Sequence, residues 1–275
     1  MLSIYKRLIA QLPSPQRWEL LLALVQRDLS SKYRGAFLGN LWAVLNQLAQ
    51  LLIFTYVFSI VLKVRLSNRG LPGDDNLSFG LWLFAGLLAW SAFSNGFSQA
   101  AGTVVAQPNL VKKVVFPLGL LPLVPILTAF IESCFGLLTL LVFLVVLTGK
   151  LPPTVPLVVL AWLPQLLLTA GLGYLVAGLT VFIRDIPQTL TVILNLWFYI
   201  TPIVYPVEII PDQWRGWVLW CNPMAAIATF YRESLLTGEI IHWRELGVAT
   251  LVAVVIFGLG LSVYRQARPA FADVL

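Results

Sequence analysis

Charge is scarce in this chain. Asp, Glu, Lys and Arg make up 11% of the 275 residues, where a soluble domain of this length carries roughly 25%. There is one histidine, His242, and there are two cysteines, Cys134 and Cys221. A lone histidine with no Cys-x-x-Cys leaves no spacing for a zinc or haem site, so no metal site is expected. Cys134 falls in an apolar stretch and Cys221 in a later polar-aromatic segment, so no disulfide is expected between them. The only Gly-Lys pair, Gly149-Lys150, lacks the earlier glycine of a P-loop and is followed by Leu151. ATP is therefore not cradled here by that device. No H-E-x-x-H, G-x-S-x-G or paired-carboxylate pattern occurs either, which speaks against an enzyme.

What is present is apolar length. Hydrophobic residues make up 59% of the chain, and mean hydropathy is +0.87. Six stretches stand out: Leu41–Leu62, Leu77–Val105, Val114–Leu147, Val155–Ile183, Ile186–Val207 and Leu246–Tyr264. A helix needs about 20 apolar residues to cross the hydrocarbon of a bilayer. The expected fold is an all-α integral membrane protein with six transmembrane helices, forming a single domain over residues 1–275. Residues 1–12 lack the apolar region and small-residue site of a cleaved signal peptide, so none is expected.

Basic residues are unevenly shared between the two sides of these stretches. Lys6, Arg7, Arg17, Arg27, Lys32, Arg34, Lys112, Lys113, Arg184, Arg265 and Arg268 fall on the side of the N-terminus. Lys63, Arg65, Arg69, Lys150, Arg215, Arg232 and Arg244 fall opposite, offset by acids such as Asp74, Glu208 and Glu245. Positive charge near the first span sets orientation, so both termini are expected to be cytoplasmic. The same bias accounts for the basic pI without nucleic acid.

Residues 14–31 have the pattern of an amphipathic interfacial helix. Ser14 can cap it, Pro15 suits its first position, and Trp18, Leu21, Leu22, Val25 and Leu29 share a face. The polar segment 64–76 reads as an outer loop. Pro117, Pro122 and Pro125 predict a kinked or partly non-helical start to the third stretch. Glu132 lies within that stretch, where a carboxylate is costly. A neutral carboxyl bonded to a neighbouring helix is the expectation, and proton coupling by an ion-driven carrier is the alternative. Gly35 and Gly39 are either a small-xxx-small pair for close helix approach or a source of local backbone freedom. Segment 206–245 is too long for a tight connection and too aromatic for a solvated loop. Pro223 divides it into halves too short to span, which predicts an outer re-entrant helix pair.

Several pieces in order then resemble a known family. They are Arg27-Asp28-Leu29 with Lys32-Tyr33-Arg34-Gly35 and Leu41-Trp42; Asn109-Leu110-Val111-Lys112-Lys113 through Phe116-Pro117; Phe182-Ile183-Arg184-Asp185-Ile186 leading to Trp197-Phe198 and Thr201-Pro202-Ile203-Val204-Tyr205-Pro206; and Asn222-Pro223-Met224 with Tyr231-Arg232. Together they resemble the membrane subunit of type-2 ATP-binding-cassette exporters, in particular the polysaccharide and O-antigen export permeases. One departure is Gln47, where that family often has proline. The resemblance implies a homodimer in the bacterial inner membrane, two copies of a separate cytoplasmic ATPase that holds the ATP and magnesium, and a lipid-linked polysaccharide as cargo. Teichoic acid, a glycolipid or a drug would suit the same architecture. A membrane-embedded glycosyl- or acyltransferase would need clustered acids or histidine, which are missing.

Roles follow from the resemblance. Arg27, Asp28, Lys32 and Arg34 would grip the ATPase or else anchor on lipid phosphates. Asn109, Lys112 and Lys113 would lie on a coupling loop, or on a plain basic loop. Arg184 and Asp185 would pair with each other or across an inner interface. Trp42, Trp197, Phe198 and Tyr199 are candidates for sugar-stacking walls of a channel, or for an ordinary interfacial belt. Trp214, Trp217, Trp220, Pro223, Tyr231 and Arg232 would form an outer gate.

Overall fold

A computed structural model of the chain describes residues 15–39, 41–61, 75–113 and 116–275. The capping role expected of Ser14 and most of the expected 64–76 loop lie outside these residues. The described residues form helices and connecting chain, with no strand among them. In order they are α1 (Pro15–Lys32), α2 (Leu41–Phe54, continued as a π-helix over Thr55–Val61), α3 (Asp75–Gly102) and α4 (Pro108–Lys113). Then come α5 (Leu123–Thr148), α6 (Val158–Thr180), α7 (Ile186–Ile200) and α8 (Asp212–Cys221). The chain closes with α9 (Pro223–Arg232, continued as a π-helix over Glu233–Thr237), α10 (Trp243–Ala267) and α11 (Phe271–Val274).

Among the described residues, four helical segments are long and apolar enough to cross a membrane: Leu41–Phe58, Leu118–Thr148, Val155–Thr180 and Trp243–Val274. The other two expected spans differ from them in ways that have physical causes. Helix α3 has 28 residues, about 42 Å of length, but its apolar run is diluted by Asn76, Ser78, Ser91, Asn95 and Gln99. It is the central helix, packed against α5, α6 and α9, and Leu81, Leu83, Phe84, Ala85 and Ala89 are all but inaccessible. Helix α7 stops at Ile200 after 15 residues, about 22 Å, so the stretch expected to reach Val207 is not one helix. Thr201 turns to extended backbone, as the residue before Pro202 is biased to do.

Helices α6 and α10 meet backbone to backbone. A Cβ built on Gly260 would stand 1.9 Å from the Gly171 carbonyl oxygen, and one on Gly171 would stand 2.6 Å from Phe257 Cα. This pair provides the close approach that small residues allow between membrane helices. Gly35 and Gly39 do not: they sit in the turns joining α1 to α2, with φ of 83° and 51° and no neighbouring atom where a Cβ would be. Their use is the left-handed backbone that glycine adopts without strain.

The stretch leading into α5 is irregular, in line with the kinked or partly non-helical start that its prolines predict. Residues 118–120 form a 3-10 turn and the α-helix begins at Leu123. Two tyrosines satisfy carbonyls there: Tyr264 of α10 donates to Leu118 O at 2.8 Å, and Tyr174 of α6 donates to Gly119 O at 2.7 Å. Val104, Leu118, Leu121, Tyr174, Val181, Tyr264 and Phe271 form one cluster around them. This defines the α4 end of the bundle. At the opposite end, Thr154 Oγ1 donates to Ser234 O at 2.8 Å, beside α8 and α9.

Candidate functional site

The α4 end carries a short basic helix on a fixed base. Leu110 and Val111 pack against the Val104–Phe271 cluster, and α11 rests on α4. Asn109 and Lys112 are exposed, and Lys113 is the last residue of the helix. Arg184 and Asp185, in the turn from α6 to α7, are exposed at the same end, next to the Phe182–Phe271 ring contact. No ion pair joins Arg184 to Asp185 among the described residues. Asp185 instead offers its main-chain carbonyl to Thr189, through N–H and Oγ1 at 3.1 Å each.

Helix α1 lies along the first turns of α5. Leu21 and Val25 are buried against Leu120, Val124, Leu127 and Ile131, while Trp18 and Leu22 of the same predicted face remain exposed. At its end Lys32 Nζ donates to both carboxylate oxygens of Glu132, at 3.1 and 3.0 Å. The pair is largely shielded, with side-chain exposures of 26% and 16%. The expected neutral carboxyl is therefore replaced by an ion pair, with the counter-charge supplied from α1. Lys32 is engaged within the chain, whereas Arg27 and Arg34 are exposed.

Segment 201–242 is tied to the bundle by a polar network that sequence reasoning did not foresee. Asn222 caps α9 by accepting from Met224 N at 3.2 Å, and Pro223 takes the first helical position. The same Oδ1 accepts from Trp197 Nε1 at 3.1 Å, and Asn222 Nδ2 donates to Thr201 Oγ1 at 2.8 Å. Tyr231 donates to Gln165 Oε1 at 2.7 Å, and Gln165 Nε2 donates to Ala89 O at 3.0 Å. Arg232 donates to the carbonyls of Trp82, Pro202 and Ile203. Glu233 accepts from the backbone N–H groups of Ile241 and His242 at 3.1 and 3.2 Å, and its other oxygen meets His242 Nδ1. The sequence signal was available: polar residues interrupting apolar runs must find partners when buried.

This network determines where the predicted site residues stand. Tyr231 and Arg232 lie in the core between α3, α6 and α9, not on an outer surface. Pro223 is buried with them, while Trp214, Trp217 and Trp220 are exposed on α8. Among the channel candidates, Trp197 and Phe198 are half-buried against Trp90 and Phe93. Tyr199 and Trp42 are exposed, and no ring contact joins Trp42 to the α7 aromatics among the described residues.

Residues 19–236 match the model of the ABC-2 type transporter family. The chain belongs to this family, and the elements that carry the match run from α1 to the end of α9. Among its relatives, the O-antigen export system permease protein RfbA of Myxococcus xanthus is 32% identical over 259 residues, covering 92% of this chain and 94% of that protein. An O-antigen export system permease protein RfbA of Klebsiella pneumoniae is 25% identical over 263 residues, covering 94% and 95%. The polysialic acid transport protein KpsM of Escherichia coli is 27% identical over 252 residues, covering 90% and 93%.

Proposed function

We propose that the chain is the permease subunit of an ATP-driven exporter that carries a lipid-linked polysaccharide across the bacterial inner membrane. Two copies form the conduit, and two copies of a cytoplasmic ATPase drive it. The observation that carries this reading is the firm seating of exposed, basic α4 on the α10–α11 cluster. Such a helix can transmit a push from a docked ATPase into α5, α6 and α10 without first deforming. The end-to-end similarity to permeases named for O-antigen and polysialic acid transport supports the cargo class. Helix α7 supports pairing: it buries only Leu190 and Leu194 within the chain and exposes Val192, Ile193, Leu196, Tyr199 and Ile200. In this arrangement both termini and α4 are cytoplasmic and α8–α9 is a re-entrant pair at the outer face. Tyr199 and Trp42 then offer exposed rings to sugar C–H faces, and the tryptophans of α8 close the outer mouth.

Co-expression with a candidate cytoplasmic ABC ATPase tests the proposal. The two chains should co-purify in equal amounts and export polymer only when ATP is hydrolysed. Lys112→Glu with Lys113→Glu should abolish export with the membrane subunit still inserted. Normal export by that variant, with its ATPase bound, would remove α4 from the coupling role. Cargo movement by the purified chain without any ATPase would overturn the whole reading.

A further inference from the structure

A cavity of about 430 Å³ lies between α1, the end of α3 and the start of α5. Its polar side is contributed by Arg27, Asp28, Ser31, Gln99, Thr103 and Gln107. Asp28 Oδ2 is buried there without a hydrogen-bond donor. An anionic oxygen taken from water without a donor is costly, so the position is complete only when a donor arrives. The hydroxyls beside it do not supply one. Ser31 Oγ gives its hydrogen to Asp28 O at 2.7 Å, and Thr103 Oγ1 gives its hydrogen to Ala100 O at 2.8 Å. Both oxygens are left with lone pairs only. The Gln99 and Gln107 amides line the same chamber without donating to Asp28 Oδ2, so three acceptors, one of them anionic, stay open to an ammonium, which carries three N–H donors to match them.

Arg27, exposed at the rim of the same chamber, decides between kinds of ammonium. It would repel a lone cationic side chain but would pair with a phosphate held one short spacer from the ammonium. The remaining wall is apolar, formed by Leu24, Leu121 and Val124. We infer that this cavity is a binding site for a phosphoethanolamine-type phospholipid, with its ammonium on Asp28, its phosphate on Arg27 and its acyl stems along the apolar wall. The inference is independent of the cargo; it rests only on α1 lying at the bilayer surface, as its amphipathic pattern indicates.

The test compares two lipids of equal acyl composition, phosphatidylethanolamine and phosphatidylcholine. The second keeps the charge and the phosphate but has no N–H. Full-length chain is equilibrated with an equimolar mixture and its retained lipid is read by native mass spectrometry. Wild type should favour phosphatidylethanolamine by about tenfold, the weight of one charge-assisted hydrogen bond. Asp28→Asn should bring the ratio below about twofold, and Arg27→Gln should lower retention of both lipids alike. Equal retention by wild type overturns the site without need of any variant. So does an unchanged preference in Asp28→Asn. A photo-crosslinking residue in place of Leu24 adds a readout in whole membranes: capture of lipid supports the site, and capture of another protein chain overturns it.

Discussion

The guanidinium carbon of Arg232 lies 3.5 Å from the centroid of the Trp82 ring. The same group donates to Trp82 O at 3.2 Å, Pro202 O at 2.7 Å and Ile203 O at 2.6 Å. One planar cation thus binds α3 to the chain leaving α7, and holds α9 against both. Gly86 makes room for it, since a Cβ there would stand 2.3 Å from Nη2. Lysine has neither the planar face nor the fork, so Arg232→Lys should destabilise the protein by about 3 kcal/mol. Gly86→Ala should act through the same clamp, so the double variant should cost clearly less than the two singles together. Thermal unfolding of the four proteins in one detergent measures this, and simple additivity would show the two sites to be independent.

The meeting of α6 and α10 gives a sharper steric test. Gly260→Ala places a methyl 1.9 Å from the Gly171 carbonyl, whereas nothing lies within 4 Å of a Cβ at Gly258. Backbone cannot move aside as a flexible side chain can. Gly260→Ala should therefore cost at least about 3 kcal/mol, beyond the usual range for overpacking a side-chain core. Gly258→Ala should be neutral or slightly stabilising, because alanine is the better helix former. Similar melting temperatures for the two variants would contradict the close crossing.

Lys32 and Glu132 permit a charge exchange. Lys32→Glu and Glu132→Lys should each free the end of α1 from α5, with a loss of about 1–3 kcal/mol. The exchanged pair should recover most of it. Protease cleavage in the Gly35–Gly39 turns reads the release directly. Cleavage should rise in both single variants and fall again in the double.

Glu233 and His242 make the α9-to-α10 connection sensitive to pH. The bond to Glu233, aided by the negative charge of Glu245 and Glu208, raises the imidazole pKa above its ordinary 6.5, against the opposing effect of burial. The stabilisation from the charged pair is therefore complete below about pH 6.5 and is lost as pH rises through the higher folded value. Amide exchange at Ile241 and His242, whose N–H groups are held by Glu233, should be slower at pH 6 than at pH 8.5 once intrinsic rates are removed. His242→Gln should abolish that difference.

Hydropathy revealed the helices that face lipid on at least one side, because long apolar runs are what such helices need. It overstated α7, where Thr201-Pro202 ends the helix inside an apolar run, and it could not show that α3 is the central helix. Proline read correctly in part: Pro117 and Pro122 precede α5 and delay it, Pro125 is taken into its first turn, and Pro223 opens α9. The polar partners were not legible. Lys32 meets Glu132 across 100 residues, and Arg232 reaches Trp82 across 150, and no local pattern encodes such a pairing. The four motif pieces were legible as a set, yet their physical roles divide. Asn109 and Lys112 stand exposed, whereas Asn222, Tyr231 and Arg232 hold the bundle together from within.

The buried end of α9 also has a bearing on biogenesis. Arg232 and Glu233 adjoin in one short helix, and neither could leave the insertion machinery for lipid alone without a heavy penalty. Among the described residues, every acceptor of Arg232 lies earlier in the chain, at Trp82, Pro202 and Ile203. By the time α9 is synthesised, α3 and the end of α7 already exist to receive it. The cation can pass straight from translocation water to its cage of carbonyls, with Glu233 carried in beside it to await the next eight residues and then His242.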